Sequence, residues 1–308
     1  MLKTSIDIKQ IKQFHIEITS KCNMTCTFCP RQFRSQSNSN SSFQIDVFQS
    51  FINELPNDLA CKDIVLQGLG EVTLNKDFSR FIKIAKSKFH SITTTTNLMA
   101  KDTSLYNQYF DAGLTNLRIS VDAIDDKIIK KNRPEISLST IKKAILAIDK
   151  AHIDKVQVIT VVHPENFGTL REIGEFISQL GITDWVIQKL VGYANDIENK
   201  LCHSDIEKAV SSLSNKLTIA IRGFNYVKRS EPFFCNSPFS TYFINADHYL
   251  MPCCHIWDHT KLDMGNLNNF SPNELINNAK AVAFRDTFNK GIIPEICLET
   301  KCPLVAEK

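Results

Sequence analysis

The sequence predicts an α/β protein built on a parallel sheet, with six strand–helix units followed by a small C-terminal module. Three observations carry this expectation. Short apolar runs alternate with amphipathic helical stretches from residue 12 to about 220, and such alternation gives parallel strands joined by right-handed crossovers. Six units fall short of the eight in a closed barrel of about 250 residues, which leaves an open partial (β/α) barrel or a doubly wound sheet. After about residue 222 the pattern changes to a hairpin-like alternation and a long helix. The expected division is therefore a core over 1–222 and a second module over 223–308.

The elements follow in order. FHIEITS (14–20) reads as the first strand and QIDVFQSFINEL (44–55) as the first helix, from its spacing of apolar residues. DIVLQG (63–68) is the second strand and DFSRFIKIAKSKF (77–89) its helix. The β-branched SITTTTN (91–97) is the third strand. SLYNQYFDAG (104–113) is a helix that Gly113 can close. NLRISVD (116–122) is the fourth strand, and the helix over 139–151 starts at a capping serine. KVQVITVVH (155–163), LREIGEFISQLG (170–181) and TDWVIQKLV (183–191) complete the six units. In the second module, STYFINADHYLMPCC reads as a hairpin turning at Asn245–His248. The stretch 271–291 reads as one helix from its Ser-Pro start and Gly291 end. SQSNSNSS (35–42) is a polar, low-complexity loop.

Composition sets outer limits. With 43% hydrophobic and 22% charged residues, the chain has the balance of a soluble globular protein long enough to bury a core without disulfides. A net charge of +3 argues against nucleic acid or an anionic membrane as partner. No apolar run approaches the ~18 residues of a membrane span, and the charged start MLKTSIDIKQ has no signal-peptide core, so the expected location is the cytoplasm. Thiols are reduced there, so the ten cysteines need another account. Cys61 and Cys202 stand alone and read as small hydrophobes. The remaining eight fall into two groups, which points to metal binding or redox chemistry.

The first group is CNMTCTFC, with Cys22, Cys26 and Cys29 just past the first strand. Thiolates are soft ligands for iron–sulfur clusters or zinc. A structural zinc site wants a closed set of four ligands, and no fourth Cys or His lies close by, since His15 is inside the strand. Three thiolates would hold three corners of a four-iron cube and leave one iron open. The candidate ligand residues that follow sit at the carboxyl ends of strands, where open α/β sheets bind ligands. Gly70 and Glu71 follow strand two, Asn97 ends strand three, and Asp122 ends strand four.

The CxxxCxxC spacing after a first strand resembles the radical S-adenosylmethionine (SAM) superfamily, and the likeness extends over 14–190. The resemblance implies a partial (β/α)6 TIM barrel and a [4Fe-4S] cluster whose open iron binds SAM. The cluster's electron cleaves SAM to a 5′-deoxyadenosyl radical that abstracts hydrogen from substrate. It also implies a flavodoxin- or ferredoxin-like electron donor. Phe28 stands where the family places an aromatic residue, beside the backbone that reaches the adenine. GLGEV (68–72) resembles the family's Gly-Gly-Glu-Pro stretch, with Gly70 and Glu71 in register and Leu69 and Val72 departing from it. Glu71 is then the acceptor for the SAM ammonium, and Asn97, Ser120 and Asp122 face its ribose or carboxylate. For Arg133 and His163, past strands four and five, a structural role is the reading.

The second group is Cys235, the pair Cys253-Cys254, Cys297 and Cys302. Neighbouring side chains in a strand diverge, so four ligands and one spare is the natural count. A closed four-thiolate site holds zinc or a four-iron cluster. The arrangement resembles the SPASM and twitch C-terminal domains of radical SAM enzymes. There a glycine precedes the hairpin cysteine; here that place is His248, which favours Cys253 over Cys254 as the ligand and leaves Cys254 as the alternative. With too few cysteines for two more clusters, one auxiliary [4Fe-4S] cluster is implied, held by Cys235, Cys253, Cys297 and Cys302.

The resulting expectation is an oxidoreductase. It would cleave SAM reductively, take hydrogen from a small-molecule or peptide substrate, and pass the second electron to the auxiliary cluster. A radical SAM peptide maturase is the alternative, and a non-catalytic zinc-binding protein is the rival of another class. Lys189, Tyr193, Asn195 and Arg222 are the candidates to face substrate.

Overall fold

The computed structural model describes residues 3–33, 40–190, 201–223, 235–300 and 302 of the 308-residue chain. Tyr193, Asn195 and most of the low-complexity stretch lie outside the described residues.

Strands β1 (Gln13–Ile16), β2 (Asp63–Leu66), β3 (Ser91–Thr96), β4 (Asn116–Ser120), β5 (Val156–Val162) and β6 (Asp184–Lys189) fall where the apolar runs predict them. Helices α1 (Ile45–Glu54), α2 (Phe78–Ala85), α3 (Leu105–Ala112), α4 (Asp126–Asn132), α5 (Leu138–Leu146) and α6 (Leu170–Gln179) connect them. The turn α4 is short and largely charged, and so carries no apolar stripe to read. A further unit follows, α7 (His203–Val210) and β7 (Thr218–Arg222), which pairs with β6 from Asp184↔Thr218 to Gln188↔Arg222. The five-residue TIAIR of β7 lies at the sheet edge and is half-buried, too short a run to stand out.

The strands pair in chain order from β7 to β1, all parallel, without the reversal of a doubly wound sheet. β7 pairs only with β6, so the wall is open, a partial TIM barrel. The second module joins the same sheet. Its strand β8 (Thr241–Ile244) pairs parallel with β1 from Gln13↔Thr241 to Ile16↔Ile244, and β9 (Leu250–Met251) folds back antiparallel on β8.

Alternation along the strands decides which residues face the helices. Phe14, Ile16, Ile64, Leu66, Ile92, Leu117 and Ile119 are fully buried, in one core with Phe48, Phe51, Phe78 and Phe81 of α1 and α2. Phe14 meets Phe89 at 5.3 Å and Tyr242 of β8 at 5.8 Å between ring centroids, so the core runs unbroken into the second module. The alternate residues, His15, Gln67, Thr95, Ser120 and Val161, line the inner cavity.

The predicted helix over 271–291 is two helices, α9 (Pro272–Asn277) and α10 (Ala279–Asn289). Asn278 between them is extended, and its side chain accepts from Ala281 N while its amide donates to Met264 O and Leu275 O. An asparagine that caps a new helix breaks a continuous apolar pattern without glycine or proline. Two short helices, α8 (Ser237–Ser240) and α11 (Glu295–Glu299), complete the module. Among the described residues no helix is long and apolar enough to cross a membrane.

Candidate active site

Cys22, Cys26 and Cys29 lie on the loop between β1 and α1 and line one cavity of about 380 Å³ at the carboxyl ends of the strands. Bonds within this loop and to neighbouring loops fix it. Cys29 N donates to Cys26 O, Thr27 N to Asn132 O, and Arg31 Nε to Ser20 O. Glu135 accepts from Thr25 N and Oγ1, and Asn23 Nδ2 donates to Met99 O. Burial raises all three thiols above their usual range, Cys26 to about 12. Bound iron would reverse that rise, because a coordinating metal holds the thiolate.

Three soft donors around one cavity fit a cluster that takes each thiolate on a different iron. Among the described residues, no three Cys, His, Asp or Glu side chains are already grouped to hold a single metal ion.

Gly70 lets the second-strand loop meet the cysteine loop. A Cβ there would stand 2.3 Å from Thr19 O and 2.5 Å from Lys21 O, both backbone atoms. The same approach gives the 2.7 Å bond from Glu71 N to Lys21 O. Glu71 is buried, and its carboxylate accepts from Thr73 N (3.1 Å), Thr96 Oγ1 (2.8 Å) and Asn97 N (2.7 Å). Burial raises its pKa against the pull of those donors. Asn97 turns its amide to Asn23 Oδ1 and to Cys22 Sγ, at 2.9 and 3.8 Å. Glu71, Asn97, Ser120 and Lys189 all line the cavity, as does Phe28.

Asp122 has a different place. It stands behind the cavity wall, paired with Arg133 Nη2 and accepting from Val161 N at 2.7 Å. Arg133, read from the sequence as structural, is the residue on the wall. Its Nη1 donates to Ser120 O at 3.2 Å, and its guanidinium carbon lies 5.9 Å from the Phe28 ring centroid. His163 is buried and packs on Phe28 at 6.0 Å, with its pKa lowered by desolvation. Arg222 ends the edge strand away from the cavity lining.

The second module closes the same cavity with Cys254, His255 and Trp257. All three lie in the loop after β9, and no local pattern marks His255 and Trp257 as cavity residues. His15, which also lines the cavity, meets the Trp257 ring edge-on at 6.3 Å. Its Nε2 pairs with Gln67 O, and burial lowers its pKa to about 4.

Cys235, Cys253, Cys297 and Cys302 line a separate, narrow apolar pocket with Pro238, Phe284 and Phe288. Burial raises Cys235 and Cys253, and Cys297 to about 12. Cys302 N donates to Cys297 O at 3.2 Å, so the x4 spacing turns back on itself. Four thiols around one pocket, with His255 and Thr300 beside them, are the number that saturates a four-iron cluster. His248 has φ 70°, the left-handed conformation that glycine would supply at that turn. Cys253 and Cys254 thus line different cavities. A third cavity of about 290 Å³ lies between the two, sharing Leu69 and Trp257 with the first, Ile256 and Thr300 with the second, and His255 with both.

The chain is similar to several known proteins. A "Probable GTP 3′,8-cyclase" of Methanococcus aeolicus is 25% identical over 215 residues, 68% of each chain. Streptococcus suis SuiB bound to S-adenosylmethionine superposes with a TM-score of 0.70 at 13% identity, covering 90% of this chain and 68% of SuiB. SuiB has also been solved bound to its precursor peptide SuiA. BtrN in complex with AdoMet and 2-DOIA gives a TM-score of 0.56 at 14% identity, covering 91% and 88%. At these identities the structures share the fold. The family model of the radical SAM superfamily matches residues 16–177, and that of an iron–sulfur cluster-binding domain, SPASM, matches 235–303. The chain therefore belongs to the radical SAM superfamily, with a SAM-binding [4Fe-4S] site in the barrel and a C-terminal SPASM-type domain for an auxiliary cluster.

Proposed function

We propose that the protein is an oxidoreductase that removes a hydrogen atom and then an electron from a small substrate. The observation that carries this is the line of three adjoining cavities, two walled by cysteines and the middle one by side chains of both modules. The core is read as 1–222 and the auxiliary module as 223–308.

Cys22, Cys26 and Cys29 would hold the first cluster. With SAM bound, its chemistry is to supply one electron that yields the hydrogen-abstracting 5′-deoxyadenosyl radical. Glu71 offers a carboxylate to the SAM ammonium. Arg133, held in place by Asp122, offers a guanidinium to the SAM carboxylate, which makes Asp122 a positioning residue. Lys189 adds a second cation to the same cavity. Phe28, braced between Arg133 and His163, provides an apolar wall. Asn97 is left to the ribose and to Cys22. Cys235, Cys253, Cys297 and Cys302 would hold the auxiliary cluster, whose chemistry is to accept the electron left on the substrate.

The middle cavity, at about 290 Å³, equals the liquid volume of about ten waters. That suits a small molecule or a single peptide side chain. The maturase reading keeps the same residues and places one side chain of a peptide there. Anaerobic reconstitution and metal analysis test the proposal: a brown protein with about eight irons and matching sulfide is expected. A colourless protein that retains zinc instead would favour a structural metal-binding role. Untargeted comparison of metabolites in a strain lacking the gene then identifies the substrate.

A further inference from the structure

We infer that Glu17 is a positioning residue that couples the seating of the auxiliary-cluster hairpin to the affinity of the first cavity for SAM. The inference rests on the assignment of that cavity to SAM. Glu17 follows β1 and is completely buried. Its Oε1 accepts from Leu69 N at 3.0 Å, and its Oε2 accepts from Ala246 N at 3.0 Å. Leu69 belongs to the GLGE stretch that lines the first cavity, two residues before Glu71. Ala246 belongs to the turn between β8 and β9, which leads directly into Cys253. One carboxylate therefore joins a wall of the SAM cavity to the hairpin that carries an auxiliary ligand.

The fit is close. A Cβ at Gly68 would stand 2.0 Å from Glu17 Cγ, so the backbone before Leu69 is wrapped around this side chain. The same turn is pinned twice more to the chain beside the cysteine loop. Ser41 Oγ donates to Asp247 Oδ1 at 2.5 Å, and Gln44 N donates to His248 Nε2 at 3.1 Å. Ser41 O in turn accepts from Ser20 N and Thr19 Oγ1, both at 3.0 Å, immediately before Cys22. Any shift of the hairpin turn is thus transmitted to both loops that would bind cluster and SAM.

Burying a carboxylate is costly unless its charge is used. A carboxylate accepts from both N–H groups at once, whereas an amide presents one acceptor oxygen and an NH2 that repels the second N–H. Glu17→Gln keeps the shape and breaks one side of the joint. By reciprocity, if hairpin seating changes SAM affinity, SAM binding must tighten the hairpin by the same factor.

The test measures SAM affinity by equilibrium dialysis in anaerobically reconstituted protein with the first cluster intact. Glu17→Gln should weaken SAM binding about tenfold, the scale of one hydrogen bond to a charged group. Cys235→Ala, which removes an auxiliary ligand, should weaken SAM binding in the Glu17 background and change it little further in Glu17→Gln. Amide exchange over 244–250 should slow on SAM addition in the native protein and not in Glu17→Gln. A purely structural strut predicts effects that multiply and exchange that ignores SAM, and that result overturns the inference. If Glu17→Gln does not fold, Asp247→Asn weakens the Ser41 pin of the same turn. It should lower SAM affinity about threefold with the same non-additivity, and unchanged affinity there overturns the inference too. Native protein that binds no SAM would instead remove the underlying site assignment.

Discussion

Glu71→Gln offers a sharp probe of the SAM cavity, because the structure bounds what the carboxylate has left to give. A carboxylate has about four lone-pair sites. Thr73 N, Thr96 Oγ1 and Asn97 N take three of them. One remains for the SAM ammonium, so one charge-assisted bond is at stake, about 1.5–3 kcal/mol. That corresponds to a loss of SAM affinity of roughly 10- to 150-fold. The loss should be seen by equilibrium dialysis at pH 7.5 with iron content and cluster absorbance unchanged. Glu71→Ala should do more, since three buried donors lose their acceptor and the loop before Cys22 loosens. The pH dependence has a definite sign. Burial raises the Glu71 pKa above 4.5, so the carboxylate takes a proton earlier than usual on acidification, and SAM affinity falls as pH drops through that raised value. Glu71→Gln should lack this acid limb. Unchanged affinity in iron-replete Glu71→Gln would refute the placement of Glu71 against the ammonium.

Gly70→Ala should lower iron in the first site and spare the auxiliary site, since its Cβ would collide with backbone oxygens at 2.3 and 2.5 Å; elemental analysis and cluster spectroscopy read this out. His15, with a pKa lowered to about 4, stays neutral when folded while the unfolded chain takes up a proton. Stability should therefore fall as pH drops from 6.5 toward 4, by about 1 kcal/mol at pH 5.5, and urea unfolding of His15→Gln should lack that term. Cys235→Ala should abolish the auxiliary cluster and lower thermal stability, because the metal closes a long loop, yet leave SAM cleavage by a chemical reductant at saturating SAM. Cys254→Ala should retain both clusters; loss of the auxiliary cluster there, with Cys253→Ala harmless, would reverse the ligand choice.

The barrel was legible because apolar runs with β-branched residues and helical spacing recur in order, and six strands fell where those signals lie. The α7–β7 unit escaped because a half-buried edge strand needs few apolar residues, and its helix has a narrow stripe. The break at Asn278 was hidden because its cap uses an ordinary helix-surface residue. In the site, the cysteine spacing was legible because three thiols in eight residues sit on one loop, and the structure brings all three to one cavity. Asp122 and Arg133 show where sequence reasoning stops. Both follow the fourth strand, but their order of access to the cavity depends on a salt bridge between residues 11 positions apart. The closing residues Cys254, His255 and Trp257 come from a loop that reaches the cavity only once β8 has paired with β1. Long-range pairing of that kind leaves no local pattern.

SAM cleavage tests most directly the assignment of Cys22, Cys26 and Cys29 to a SAM-binding cluster. Anaerobically reconstituted protein, given SAM and dithionite, should release 5′-deoxyadenosine detectable by liquid chromatography. Protein with Cys22, Cys26 and Cys29 all replaced by alanine should keep about half the iron and release none. Cleavage that survives the triple replacement, or native protein with a full iron complement that never forms 5′-deoxyadenosine, would contradict it.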